Sequence, residues 1–248
     1  MNQVTDQQII EILRKEAVPA LGCTEPVACA LACAKCKEVL GGVPERLDVL
    51  VSGNIYKNGM GVGIPGTGMV GLPIAAALGA VCGKSEYGLE VLKEVNVGDN
   101  LQRAKDMLGQ VTVSLKEDAP DKLYAEALAT KGNDTVKVII AHTHTNIVLV
   151  EKNGEEIFKR EFRLDTSKPE DKGPELSVKR IWDFVHEVDV KDIEFVLQGA
   201  EMNKAISAEG LNSEYGLQIG KTLKENIDKG LLEDDLLNRT LIRATAAS

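Results

Sequence analysis

From Gln110 to Phe162 apolar residues recur at every second position, whereas on either side of this stretch they recur every three to four. A period of two alternates side chains across a strand, and a period near 3.6 lines one face of a helix, so the chain must combine both element types. The alternating segments Val111–Leu115, Leu123–Ala127, Val136–Ile140, Asn146–Val150 and Ile157–Phe162 read as antiparallel strands. Gly132-Asn133 and Asn153-Gly154 read as turns between them, the second a two-residue hairpin. Arg46–Ser52 is a further half-buried strand. Helical spacing covers Thr5–Leu21, Val27–Leu40, Leu72–Val81, Gly88–Val95, Asn100–Leu108, Leu176–Val188, Lys191–Ala208, Leu217–Lys229 and the chain from Glu233. The expected class is therefore α+β: a mainly helical domain (1–87 joined to 165–248) carrying an inserted α+β domain (88–164) with an antiparallel sheet. Two sequential domains are the alternative, and Leu164–Pro174 reads as a linker.

Composition narrows the partners. The 248 residues are 44% hydrophobic, enough for one large core or two modest ones. With 29 basic and 38 acidic residues the net charge is -9, which argues against a nucleic-acid footprint, and no basic run suggests an anionic membrane surface. The longest apolar windows, such as Val70–Cys82, fall short of the roughly 20 residues that span a bilayer, and no signal peptide is visible. Five cysteines, an odd number in a chain this long, read as reduced thiols of a cytoplasmic protein. A homo-oligomer is left open. Leu241–Ser248 is helix-compatible with no Gly or Pro stop, as expected of a chain cut from a longer one.

The chemistry concentrates in two stretches. Gly22-Cys23-Thr24-Glu25-Pro26 places a thiol, a hydroxyl and a carboxylate in one turn between two helices, with Thr24 expected to cap the second. At a helix N-terminus Cys23 meets the positive end of the dipole, which favours thiolate. The second stretch, Ser52–Gly71, holds seven of the 23 glycines and reads as a ligand-lining loop. Its Lys57 is either a solvated loop residue or a carboxylate-binding cation.

Other patterns carry less. Cys29, Cys33 and Cys36 match a radical S-adenosylmethionine spacing but fall at i, i+4 and i+7 of an Ala-rich helix, so they read as a core stripe, and Cys82 likewise. Gly61–Gly66 matches the dinucleotide fingerprint formally, yet it lies ten residues past a strand and Pro65 interrupts it. Gly83-Lys84-Ser85 lacks the upstream glycine of a phosphate loop. His142 and His144, two apart, would share one face of a strand and could begin a metal site; hydrogen bonding is the simpler role, with His144 and Asn146 able to touch a ligand. Glu233–Asp235 reads as a helix N-terminal acidic cap.

Gly22–Pro26, joined with Ser52–Thr67 (SGNIYKNGMGVGIPGT) and His144–Ile147 (HTNI), resembles the L-cysteine desulfidase family, related to the iron-sulfur L-serine dehydratase alpha chain. The resemblance covers essentially all of this chain and the front portion of longer family members. It implies a [4Fe-4S] cluster held by three cysteines, with Cys23 as the first ligand and the others in a half not present here. It also implies a lyase acting by β-elimination, which releases sulfide from L-cysteine, or water from L-serine, on the way to pyruvate and ammonia. Glu25, Lys57 and His144 are the candidate catalytic bases. Thr24, Ser52, Gly53, Asn54, Gly66, Thr67 and Asn146 are the candidate contacts to a small amino-acid substrate. A non-catalytic amino-acid-binding module without a cluster is the alternative.

Overall fold

The computed structural model describes residues 4–20, 22–160, 176–214 and 217–247. Two compact units divide the chain: one runs from Pro19 to Lys168, and the other joins Met1–Val18 to Pro169–Ser248. The class is α+β, as the periodicities imply, but the division expected at Gly88 is not the observed one. Strand β1 (Arg46–Val51) explains the difference. It is sandwiched between β4 (Val111–Leu115) and β5 (Tyr124–Lys131), so residues on both sides of position 88 build a single sheet.

That sheet has the order β4-β1-β5-β6-β7-β8, completed by β6 (Asp134–Ala141), β7 (Ile147–Lys152) and β8 (Glu155–Lys159). Four of its pairings are antiparallel, as expected, whereas β4 pairs with β1 in parallel. The chain between those two strands is long enough to return to the same end, which a parallel pair requires. Asn153 and Gly154 both adopt positive φ at the β7–β8 hairpin, the conformation that their sequence signals. The candidate linker Leu164–Pro174 and the end of the expected strand 157–162 lie outside the described residues.

One face of the sheet is covered by α2 (Thr24–Leu40). Leu47, Val49 and Val51 stand opposite Ala129, Ala127 and Ala125, which in turn stand opposite Val136, Val138 and Ile140, and all nine are buried. The alanine row of β5 lets α2 approach closely: Cys36 Sγ donates to the carbonyls of Ala127 (3.5 Å) and Val136 (3.6 Å). Cys29, Cys33 and Cys36 are fully buried, so the expectation of a core stripe is borne out. On its other side α2 is crossed by α4 (Leu72–Val81). A Cβ on Gly79 would overlap the backbone of Ala30, so the close crossing needs glycine there.

The glycine-rich stretch is not one loop. It forms helix α3 (Gly53–Gly59) and a small hairpin of β2 (Gly63–Ile64) and β3 (Met69–Val70). The segment expected to be helical at Gly88–Val95 is a 3-10 turn (Ser85–Glu90) followed by further turns, with Gly88 at φ +54 breaking the path. Helix α5 (Asn100–Met107) then leads into β4.

The other unit is helical. Helix α1 (Asp6–Glu16) starts with a reciprocal capping box between Thr5 and Gln8. Val4, Ile9 and Ile10 pack with Phe184 of α6 (Val178–Glu187), and Arg180 ties α6 to the Val4 carbonyl (2.6 Å) and to Asp6. Next come α7 (Val190–Ile193), α8 (Val196–Asn212), α9 (Ile219–Asp228) and α10 (Leu236–Ala246), with Asp235 capping α10 through Asn238 N. No helix among the described residues is long and apolar enough to cross a membrane.

Candidate functional site

Helix α1 ends at Glu16 and belongs to the helical unit, so the Gly22–Pro26 turn does not have a helix on each side. It is instead fixed by the glycine hairpin. Gly22 adopts φ +96, a conformation open to glycine, and a Cβ there would stand 3.3 Å from Pro65 Cγ. The N-cap of α2 is Cys23, not Thr24, and it makes no side-chain cap hydrogen bond. Thr24 is thereby freed for another partner.

Two further segments close on this turn. Cys23 Sγ donates to Glu25 Oε2 at 2.7 Å, and Asn58 Nδ2, from α3, donates to Glu25 Oε1 at 3.0 Å. Thr24 Oγ1 lies 3.2 Å from His144 Nε2. His144 sits in the turn between β6 and β7. His142 therefore does not share a strand face with it: at φ +69 its ring lies 2.6 Å from Asp121, whose carboxylate also accepts the His142 amide at 3.0 Å. Cys23, Thr24, Glu25 and His144 are all half-buried.

The electrostatics follow from these contacts. Burial, and then the hydrogen bond to the Glu25 carboxylate, push the Cys23 thiol above its ordinary value. The expected thiolate is thus disfavoured: burial, together with a carboxylate 2.7 Å away that asks for an S–H, outweighs the helix end. Burial alone would raise Glu25, but hydrogen bonds from Cys23 and Asn58, with the charge of His144, bring its carboxyl below the ordinary value. Burial lowers His144 despite the opposing pull of Glu25, which favours the neutral imidazole. Burial also pushes Cys29 up to about 12 and raises Cys33 and Cys36 strongly.

The remaining candidates are placed differently. Ser52 is buried, donates to the Lys122 carbonyl (2.6 Å) and accepts from Tyr124 N (3.4 Å), so its hydroxyl ties β1 to β5. Thr67 closes the hairpin turn by donating to the Ile64 carbonyl at 2.6 Å. Asn146 spends its amide on the Ala141 carbonyl (2.9 Å) and on Arg160 (2.8 Å). Gly66, beside Pro65, packs against Val95 and Asn96. Gly53, Asn54 and Lys57 are exposed on α3, and among the described residues Lys57 has no ion-pair partner. Asn58 and Asp121 are contributors that spacing did not reveal, since both are linked to their partners only through the fold.

Among the described residues no group of three His, Cys, Asp or Glu side chains could hold a metal ion. Cys23 is a single thiol at the turn, with every other cysteine in the core.

No family model matches the chain, and no solved structure matches it. Curated relatives do. A UPF0597 protein of Actinobacillus pleuropneumoniae serotype 3 is 46% identical over 245 residues, 98% of this chain and 56% of the relative. One from Dichelobacter nodosus is 46% identical over 248 residues, 99% of this chain and 57% of the relative. A third, from Parabacteroides distasonis, is 43% identical over 253 residues, 100% of this chain and 58% of the relative. The chain is thus similar along nearly its whole length to UPF0597 proteins, a name that states no activity, and it spans a little over half the length of those relatives.

Proposed function

We propose that this chain carries part of the site of a lyase of the iron-sulfur L-cysteine desulfidase and L-serine dehydratase type. Its reaction is β-elimination of sulfide from L-cysteine, or of water from L-serine, followed by hydrolysis of the 2-aminoacrylate formed to pyruvate and ammonia. The observation that carries the reading is the Cys23–Glu25 pair at 2.7 Å, met by His144 of the β6–β7 turn through Thr24 at 3.2 Å. A thiol, a carboxylate and a neutral imidazole brought together by two turns match the residue types that such a reaction uses.

The described residues do not hold a [4Fe-4S] cluster by themselves, because one thiol is not a ligand set. In this reading Cys23 is one ligand, and the others come from polypeptide outside these residues. The chain's own groups have definite tasks. Glu25 holds the Cys23 thiol through Oε2 and thereby orients its sulfur, and Cys23 releases that proton on binding the cluster. In the tautomer that carries its proton on Nε2, facing Thr24 Oγ1, neutral His144 has a lone pair on Nδ1 to accept the α-proton of the amino acid. The Cα–H electron pair then forms the Cα–Cβ double bond as the Cβ–S bond breaks and hydrosulfide leaves with a proton. The resulting 2-aminoacrylate takes up one water to give pyruvate and ammonia.

The test is product formation. Protein expressed anaerobically from its own gene, with all the sequence that the gene encodes, is expected to absorb broadly as iron-sulfur proteins do and to form pyruvate from L-cysteine or L-serine. Cys23→Ser is expected to abolish both. Undiminished turnover without iron overturns the reading, and calorimetric binding of the amino acid without iron or turnover favours a binding module.

A further inference from the structure

Helix α6 is apolar over more of its circumference than its own core uses. Phe184 is buried against Ile9 and Ile10, with Arg180 and Val188 one turn to either side on that face. Lys179, Asp183, His186 and Glu187 make the polar side. Between these arcs Val178, Ile181, Trp182 and Val185 recur at i, i+3, i+4 and i+7, the spacing of a packed helix seam. They are nevertheless exposed at 85, 45, 64 and 62%. A four-residue seam of this kind on one helix is unusual for a surface open only to water.

The relatives are longer than the stretch they share with this chain. The Dichelobacter protein matches 248 residues that make up 57% of its length, so about 190 of its residues have no counterpart in the matched stretch. The match includes nearly all of this chain, helical unit and seam alike. We propose that the α6 seam is a docking face for the polypeptide that corresponds to this unmatched part, supplied in the same chain or by another. The proposal is independent of the lyase reading. It commits to a proteinaceous partner with a complementary apolar helix face, because the seam is a narrow line of large side chains without charge.

The chain's only tryptophan, Trp182, lies in the seam and reports on it directly. The 248-residue chain is co-expressed with the unmatched part of the Dichelobacter relative, the latter carrying an affinity tag. The two are expected to co-purify in equal amounts, with Trp182 emission shifted to the blue and its quenching by iodide reduced severalfold. Val178→Asp combined with Val185→Asp is expected to abolish co-purification while the far-ultraviolet dichroism of the chain alone stays unchanged. A loss of that dichroism is resolved by Ile181→Ser, which is milder and is expected to weaken capture at least tenfold. The proposal is overturned if the two do not co-purify, if they co-purify with Trp182 still open to iodide, or if the variants are captured equally. It is also overturned if sedimentation of the chain alone gives a dimer that the double variant splits, which makes the occupant a second copy.

Discussion

Replacing Glu25 with Gln keeps the shape of the side chain and its bond from Asn58 but removes the charge that holds the Cys23 proton. A hydrogen bond to a charged partner contributes about 1.5–3 kcal/mol. The pair is half-buried, and solvent screening roughly halves that, leaving about 1 kcal/mol. This energy corresponds to about a fivefold change in the thiolate fraction at neutral pH. Alkylation by iodoacetamide measures that fraction, because only thiolate reacts. Cys29, Cys33 and Cys36 are fully buried and Cys82 nearly so, so the native protein reports Cys23 alone. Glu25→Gln is expected to react about fivefold faster than wild type at pH 7, and the two rates are expected to converge well above the ordinary thiol value of 9.0. An equal or slower rate in the variant refutes the claim that the carboxylate, rather than the helix end, controls the thiol.

Gly79→Ala places a methyl group against the Ala30 backbone, which cannot yield as a side chain would. Overpacking of about 3 kcal/mol, less about 1 kcal/mol of improved helix propensity, predicts a net loss of about 2 kcal/mol in urea unfolding. His144 titrates in the opposite sense to a paired histidine. Burial holds its folded value below 6.5, so the unfolded chain binds the extra proton and stability falls as pH drops through that value. His144→Gln is expected to flatten this loss in urea midpoints measured against pH. Glu25, lowered in the folded state, contributes stability above 4.5 that disappears as pH falls through its folded value, and Glu25→Gln is expected to remove that acid step.

Much of the fold was legible because local patterns and tertiary packing agree. Val111–Leu115 and Leu72–Val81 emerge with the expected bounds, since an alternating run and an uninterrupted small apolar run each admit one answer. The parallel pairing of β4 with β1 was not legible, because a period of two is the same for either direction and the partner lies some 60 residues upstream. The domain boundary differs for the same reason, as β1 sits alone among helices in the sequence but between β4 and β5 in the sheet.

The site was legible where its groups are neighbours in sequence and obscure where the fold brings them together. Cys23 and Glu25 are two residues apart, and motif reading found both. Asn58 reaches Glu25 only because α3 and the start of α2 meet, and His144 reaches Thr24 from 120 residues away. Ser52 and Thr67 look like ligand hydroxyls in the sequence, yet both are spent on carbonyls, which nothing but the pairing of strands and the tightness of the hairpin could reveal.

In the proposed reaction His144, held against Thr24 of the Cys23 turn, takes the α-proton of an amino acid. The direct measurement is exchange of that proton in deuterated water, followed by nuclear magnetic resonance of L-cysteine and L-serine with the gene-encoded protein prepared anaerobically. Loss of the α-proton signal, together with deuterium in the pyruvate formed, is predicted for wild type and is expected to vanish in His144→Gln. Pyruvate formation that continues unchanged in His144→Gln contradicts the claim, as does the absence of both exchange and product in wild type.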